Sequence, residues 1–141
     1  MSSFTLNEQL ATDTVAMGKC GFCQVRLHKN ALYPWFILVP EVSVIELYEL
    51  SPDDQAVLLD LINRLSRLIM KNFSVEKLNV ATIGNIVKQM HIHVIGRQTG
   101  DACWPGTVWG HQASVPYTQD AIIEIQKKLM AGLGDGFKTT T

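Results

Sequence analysis

Hydrophobic positions divide this chain into one long amphipathic helix and several short strands. Over residues 51–72, apolar side chains recur at three- and four-residue spacing, which predicts a helix with a single buried face. The predicted buried positions are Leu58, Leu61, Ile62, Leu65, Leu68 and Ile69. Ser51 is suited to cap this helix, and Pro52 is suited to its first position. Further helices are predicted over residues 119–130 and, more briefly, over residues 6–10.

Alternating and continuous apolar segments predict four β-strands. They cover residues 23–28, 33–40, 77–83 and 88–97. Residues 29–31 form a turn between the first two strands, and Gly84 and Asn85 form a hinge between the last two. Residues 138–141 are expected to form a loose tail. Strands joined by short links around one long helix predict an α+β domain with a mainly antiparallel sheet, a long helix and a C-terminal helix.

Composition and net charge exclude several classes of function. The 141 residues suit one domain over residues 1–141, and 47% hydrophobic against 18% charged residues indicates a globular core. A net charge of -1 argues against broad electrostatic binding to nucleic acid or to anionic membranes. No apolar run reaches the ~18 residues of a membrane span, and the first residues do not resemble a secretory signal. We therefore expect a cytoplasmic protein.

The segment with the clearest chemistry carries two histidines at alternate positions. If residues 88–97 form a strand, Met90, Ile92 and Val94 point into the core. The opposite face then carries Gln89, His91, His93 and Arg97. Spacing alone leaves three interpretations open: half-exposed surface histidines, a metal site, or a nucleophilic histidine beside phosphate-binding groups.

Gln89-x-His91-x-His93 followed by two apolar residues resembles the signature of the histidine-triad (HIT) superfamily. The resemblance extends over roughly residues 20 to 130 and is carried also by residues 33–40, the helix start at 51, residues 78–80, 84–85 and 104–110. It implies a HIT-like fold and a nucleotide hydrolase or nucleotidyl transferase acting at an α-phosphate. The substrate would be a dinucleoside polyphosphate or a nucleoside phosphoramidate. The resemblance also implies a homodimer.

The same resemblance assigns roles to individual residues. His91 matches the nucleophile that forms a covalent nucleotidyl intermediate, His93 matches a phosphate-binding position, and Gln89 takes a supporting place. The remaining expected substrate-binding residues are Asn30 at the ribose, Gly84 and Asn85 at the phosphate, Arg97 as a phosphate helper, and Trp104. For Trp104 the alternative is a packed aromatic loop or a dimer contact. This chemistry requires no cofactor and no metal ion held by the chain.

Three positions depart from the family pattern. Gln89 replaces the first histidine of the triad, Asn30 replaces an acidic residue, and Trp35 stands where some members carry a further histidine. Glutamine forms hydrogen bonds but cannot carry a proton, so an acid-base role at position 89 is lost. These departures keep an alternative open, a non-catalytic nucleotide-binding or sensor module.

Cys20 and Cys23 form a C-x-x-C pair, which alone is weak evidence for zinc. Some HIT proteins complete such a pair with two histidines, one of them at the first triad position. Here that position is Gln89, so we expect two free thiols rather than a zinc site. A redox pair is the remaining alternative.

Overall fold

The computed structural model describes residues 3–140, which are organised around a six-stranded antiparallel sheet. Its strands are β1 (Thr14–Cys20), β2 (Cys23–His28), β3 (Trp35–Pro40), β4 (Lys77–Ala81), β5 (Ile92–Arg97) and β6 (Phe137–Thr139). Their order across the sheet is β4-β5-β3-β2-β1-β6. The helices are α1 (Glu8–Asp13), α2 (Pro52–Asn72) and α3 (Gln119–Leu133), with 3-10 turns at Leu47–Glu49 and Gly134–Gly136. The α+β class with a mainly antiparallel sheet, a long helix and a C-terminal helix, as predicted from the sequence, is confirmed.

The long helix begins and ends where its sequence predicts. The Ser51 hydroxyl accepts a hydrogen bond from the Asp54 amide at 3.1 Å, which satisfies one of the free amides of the first turn. Its buried residues pack together with the buried positions of α3 and with one face of the sheet. Those α2 residues are Leu58, Leu61, Leu65, Leu68 and Ile69. Burial of this stripe holds both helices on the same side of the sheet.

β3 is buried on both faces, which explains its continuous apolar run. Phe36 and Leu38 join the core beneath α2 and α3. Trp35, Ile37 and Val39 join a second cluster on the opposite face. Successive residues of a strand point to opposite faces, so Trp35, Ile37 and Val39 share the face that lies away from α2 and α3. No helix within residues 3–140 is long and apolar enough to span a membrane.

The C-terminal tail differs from its prediction. Phe137–Thr139 is not loose but forms β6, which pairs with β1. Phe137 is buried in the main core, and the Thr140 amide donates to the Met17 carbonyl. Gly18 permits this pairing, because a Cβ there would lie 2.4 Å from the Lys138 carbonyl oxygen. Thr141 lies outside the described residues.

Several element bounds also differ from the predictions. Strand β1 was not predicted, because its sequence contains Gly18 and Lys19 and lacks clear alternation. β2 has its predicted bounds, whereas β3, β4 and β5 are shorter than expected, and β5 begins at Ile92 rather than at residue 88. Gln89 and His91 therefore precede the paired part of the strand, although the alternation continues and Met90 is still buried. The helix predicted over residues 6–10 is Glu8–Asp13.

Replacing Phe137 with alanine should test whether the C-terminal strand is part of the core. We expect Phe137→Ala to lower the free energy of unfolding by about 3 kcal/mol, because a buried aromatic ring is lost. Lys138→Ala, at the exposed neighbouring position, should change it by less than about 0.5 kcal/mol. Urea unfolding followed by circular dichroism measures both. Equal effects of the two substitutions would mean that β6 contributes no core packing.

Candidate active site

A cavity of about 590 Å³ lies on the face of the sheet opposite α2 and α3. Its lining comes from α1, β2, β3, the loop before β5, the histidine segment and the loop that carries Trp109. The lining residues are Gln9, Leu10, Asp13, His28, Trp35, Ile37, Ile83, Gly84, Asn85, Ile86, Val87, His91, His93 and Trp109. A volume of this size suits a small-molecule ligand such as a nucleotide.

The two predicted histidines both line this cavity, and both are more buried than expected. His91 is 7% exposed and His93 is 6% exposed, so the half-exposed surface interpretation is wrong. Met90, Ile92 and Val94 point into the opposite core, as the alternation predicts. The imidazole centroids of His91 and His93 lie 5.0 Å apart with their planes at 69°. The two rings therefore lie side by side in the wall of the cavity.

The tautomer of His91 is fixed by the backbone. Its Nδ1 lies 2.7 Å from the carbonyl oxygen of Gln89. A carbonyl oxygen only accepts hydrogen bonds, so Nδ1 must carry the proton. In the neutral ring, Nε2 then has a free lone pair. A buried histidine with this arrangement can act as a nucleophile or as a metal ligand.

His93 has the opposite arrangement. The indole Nε1 of Trp35 donates a hydrogen bond to Nδ1 of His93 at 3.0 Å, so the proton of the neutral ring lies on Nε2. Burial, together with the neighbouring His91 and His28, lowers the pKa of His93 to about 3. At neutral pH His93 is therefore an uncharged hydrogen-bond donor rather than an acid.

The loop before β5 forms one wall of the cavity. Gly84 has φ +70°, a left-handed conformation that side-chain-bearing residues rarely adopt. Asn85 follows it with an exposed side chain. Both residues line the cavity with His91, as the sequence analysis expected for a phosphate-binding loop.

His28 and Asp13 belong to the cavity, and sequence reasoning did not identify them. His28 stacks on Trp35 with ring centroids 3.8 Å apart and planes at 6°. Its Nδ1 accepts from the Asn30 amide at 3.1 Å, so the neutral ring carries its proton on Nε2. Burial lowers the pKa of His28, and the nearby Asp13 opposes that shift. The alternation of residues 23–28 could have identified His28. Val25 and Leu27 point into the core, so His28 lies on the other face of the strand.

Gln89 does not line this cavity, and its side chain is directed toward the N-terminal segment. Its Oε1 accepts from the Asn7 amide, and its Nε2 donates to the Thr5 carbonyl, both at 2.9 Å. The Asn7 side chain in turn caps α1 by accepting from the Gln9 amide at 2.8 Å. Gln89 thus anchors the segment that leads into α1. Its side chain therefore contacts this segment and not the imidazoles, whereas its backbone carbonyl oxygen contacts His91.

Asn30, Arg97 and Trp104 are not brought into the cavity. Asn30 is buried in loop contacts, where its side-chain oxygen accepts from the Leu32 and Val115 amides. The Arg97 side chain is 1% exposed and bridged to Asp101 at 2.7 Å, with its guanidinium near the ring of Trp104. A guanidinium held in this way is already neutralised, so the predicted phosphate-assisting role does not fit this structure.

Cys20 and Cys23 lie at the end of the β1–β2 hairpin that is remote from His28. They are opposite one another at the turn between β1 and β2, whereas Thr14 and His28 pair at the other end. Both thiols are free and buried, and burial raises the pKa of Cys23 to about 12. Residues 3–140 contain no group of three or more His, Cys, Asp or Glu side chains placed to hold a metal ion.

Comparison with known proteins confirms the HIT-like fold predicted from the sequence. The HIT domain family model matches residues 9–100, and the chain therefore belongs to the HIT family. Members of this family are generally nucleotide-binding hydrolases or transferases. A comparison with curated proteins gives no match.

Three solved structures of histidine triad proteins are similar over nearly the whole chain. The protein from Marinobacter aquaeolei VT8 is 44% identical, with 94% of this chain and 97% of that chain covered and a TM-score of 0.88. The protein from Sinorhizobium meliloti 1021 is 39% identical, with coverages of 92% and 97% and a TM-score of 0.88. The protein from Bradyrhizobium japonicum is 34% identical, with coverages of 94% and 100% and a TM-score of 0.90.

The anchoring role of Gln89 can be tested by hydrogen exchange. We expect Gln89→Ala to increase amide exchange at Asn7 and in α1 at least tenfold, because two hydrogen bonds to the segment are lost. Gln89→His should do the same, since one imidazole cannot reproduce both bonds of the amide. Gln112→Ala, at an exposed position, is the control. Unchanged exchange in both Gln89 variants would contradict the anchoring role.

Proposed function

We propose that the protein is a nucleotide hydrolase or nucleotidyl transferase that acts at an α-phosphate through a covalent nucleotidyl-His91 intermediate. The observation that carries this proposal is the 2.7 Å contact between His91 Nδ1 and the Gln89 carbonyl oxygen. It leaves the Nε2 lone pair of a neutral imidazole available in a cavity large enough for a nucleotide. Dinucleoside polyphosphates and nucleoside phosphoramidates are the substrate classes to test.

In the first step, His91 Nε2 attacks the α-phosphorus, an N–P bond forms, and the bond from phosphorus to the leaving group breaks. The imidazole then carries a positive charge, which the Gln89 carbonyl oxygen stabilises through the Nδ1 proton. In the second step, water or another acceptor attacks phosphorus, the N–P bond breaks, and the proton of the acceptor passes to solvent, from which an amine leaving group takes up its own proton. His91 returns to its neutral form with the Nδ1 proton in place.

His93 and the loop before β5 would stabilise the phosphate during both steps. His93 remains uncharged at neutral pH, so its Nε2 proton serves as a hydrogen bond to a non-bridging oxygen rather than as an acid. Gly84 and Asn85 line the same cavity and supply a backbone amide and a side-chain amide. These donors favour the negative charge that develops on the phosphate oxygens.

The rest of the cavity suits a nucleoside. Asp13 and His28 offer a carboxylate and an imidazole N–H at one part of the lining, which match the hydroxyls of a sugar. Leu10, Ile37 and Trp109 offer apolar contacts for a base. Asp13 and His28 thus take the place that the sequence analysis gave to Asn30.

Two histidine substitutions should separate the roles of nucleophile and phosphate donor. We expect His91→Ala to abolish the covalent adduct and turnover, because the attacking nitrogen is absent. We expect His93→Ala to slow turnover by about 10²–10³-fold while the adduct still forms, because one oxyanion-type donor is lost. The adduct is measured by intact mass spectrometry after quenching in base, and added imidazole should partly restore turnover to His91→Gly.

His111→Ala, at an exposed position outside the cavity, is the matched control and should retain full activity. An adduct that maps to His93 would reverse the two assignments. If the wild-type protein binds a nucleotide saturably but shows neither adduct nor turnover, the enzyme interpretation is wrong. The protein would then be a non-catalytic nucleotide-binding module.

We also propose that two copies of the chain pair as a homodimer through β4. This strand lies at one edge of the sheet, so its outer backbone groups are free to pair with another strand. The apolar side chains of Val80 within β4 and of Ile83 and Ile86 beyond its end are 48%, 43% and 93% exposed. An edge strand bordered by exposed apolar groups is suited to association with a second copy.

Val80→Asp should disrupt this dimer. We expect light scattering to give the wild-type protein twice the 15.7 kDa chain mass and Val80→Asp the mass of one chain, because a charge would be buried in the interface. Val115→Asp is the matched control, since Val115 is also 48% exposed but lies away from β4. A wild-type monomer at micromolar concentration, or a dimer that survives in Val80→Asp, would contradict the β4 interface.

A further inference from the structure

Trp35 donates a hydrogen bond to His93. The sequence analysis treated Trp35 only as a departure from the family pattern and His93 as a phosphate-binding position. Trp35 is 6% exposed, and its Nε1 lies 3.0 Å from His93 Nδ1. An indole nitrogen only donates hydrogen bonds, so it makes His93 Nδ1 an acceptor under all conditions in which the contact persists. We infer that Trp35 is a positioning residue that holds His93 in the tautomer with its proton on Nε2. The catalytic consequence of this inference rests on the proposed function, whereas the tautomer does not.

Trp35 is itself held from several sides, which keeps its N–H directed at His93. One face of the indole stacks on His28 at 3.8 Å. Trp109 packs edge-on at 6.2 Å and 85°, and Tyr33 packs at 6.4 Å and 69°. In the sheet, Trp35 pairs with Ile95, and its side chain reaches diagonally to His93, two residues earlier on β5. The donor is therefore fixed before any ligand arrives.

The positioning matters because His91 and His93 are chemically identical and lie close together. With their centroids 5.0 Å apart, either imidazole could act as donor or as acceptor if its tautomer were free. The Gln89 carbonyl oxygen makes His91 an acceptor at Nε2, and Trp35 makes His93 a donor at Nε2. The Gln89 carbonyl oxygen and the Trp35 indole thus give His91 and His93 opposite roles, as acceptor and donor, toward one phosphate.

The surroundings of His93 oppose its protonation. The titratable groups that act on it are His91 on its own segment and His28 on β2, and both lower its pKa in addition to burial. From β3 and the loop beyond β5 it faces the uncharged rings of Trp35 and Trp109. The carboxylate of the cavity, Asp13, acts on His28. Removing the Trp35 donor leaves the Nδ1 lone pair buried and unsatisfied, so a proton can bind there instead.

Trp35→Phe removes the donor while keeping an aromatic ring over His28. The 15N chemical shifts of the His93 ring report the tautomer directly. In the wild-type protein we expect Nδ1 to be unprotonated and Nε2 protonated from pH 5 to 8. In Trp35→Phe we expect a mixture of the two tautomers and a raised pKa of His93. We expect kcat to fall by roughly 10- to 100-fold with KM changed less than about threefold, because the donor acts on the transition state.

Trp109→Phe is the matched control. Trp109 also packs against His93, with ring centroids 5.0 Å apart, but its indole donates no hydrogen bond to it. This variant should retain the wild-type tautomer and pKa of His93. Trp35→His supplies a second variant, whose imidazole can donate or accept, and should restore the wild-type tautomer only in part.

The outcomes separate this inference from the proposed function. A protonated Nδ1 of His93 in the wild-type protein would overturn the inference at once, whether or not the variants fold. An unchanged tautomer and pKa of His93 in Trp35→Phe, or equal effects of Trp35→Phe and Trp109→Phe on that tautomer, would also overturn it. If the wild-type protein forms no adduct with any nucleotide, the proposed function fails while the nuclear magnetic resonance result still decides the role of Trp35.

Discussion

The register of β5 against β3 is the constraint on which the whole site depends. Ile37 pairs with His93, and Phe36 pairs with Val94. Because successive side chains point to opposite faces, this register sends Ile92 and Val94 into the core beneath α2 and α3 and both imidazoles into the cavity. A shift by one residue would place two histidines among apolar side chains and expose the apolar ones. Both faces of the strand are buried, so this alternative is strongly disfavoured.

Burial gives the imidazoles their specific protonation. In water, a histidine exchanges freely between tautomers and between neutral and charged forms. At 7% and 6% exposure, each ring instead requires a defined partner for its buried nitrogen. The partner of His91 is a carbonyl oxygen, which accepts, and the partner of His93 is an indole N–H, which donates. The two histidines therefore differ in tautomer, with the proton on Nδ1 in His91 and on Nε2 in His93.

The sequence predicted those parts of the molecule that depend on local periodicity. The long helix, the α+β class and the alternation around His91 follow from spacing, and the family follows from the motifs. Trp35 and His28 could not be placed beside His93, because their proximity depends on the order β5-β3-β2 across the sheet. Asn30 and Arg97 were misplaced for a related reason, since their buried partners are set by loop conformation. The degree of burial also depends on elements distant in sequence.

Gln89 shows how a change at one motif position alters the architecture around the site. Its side-chain amide bonds Thr5 and Asn7, more than 80 residues away in the chain. An amide both donates and accepts in one plane, as a neighbouring peptide group does, whereas a neutral imidazole must do so from two ring nitrogens that diverge. The segment anchored in this way leads into α1, which contributes Gln9, Leu10 and Asp13 to the cavity. Glutamine at the first triad position therefore shapes the part of the cavity lined by α1 through the backbone, while the carbonyl oxygen of the same residue fixes His91. One residue thereby links the wall of the cavity to its proposed nucleophile.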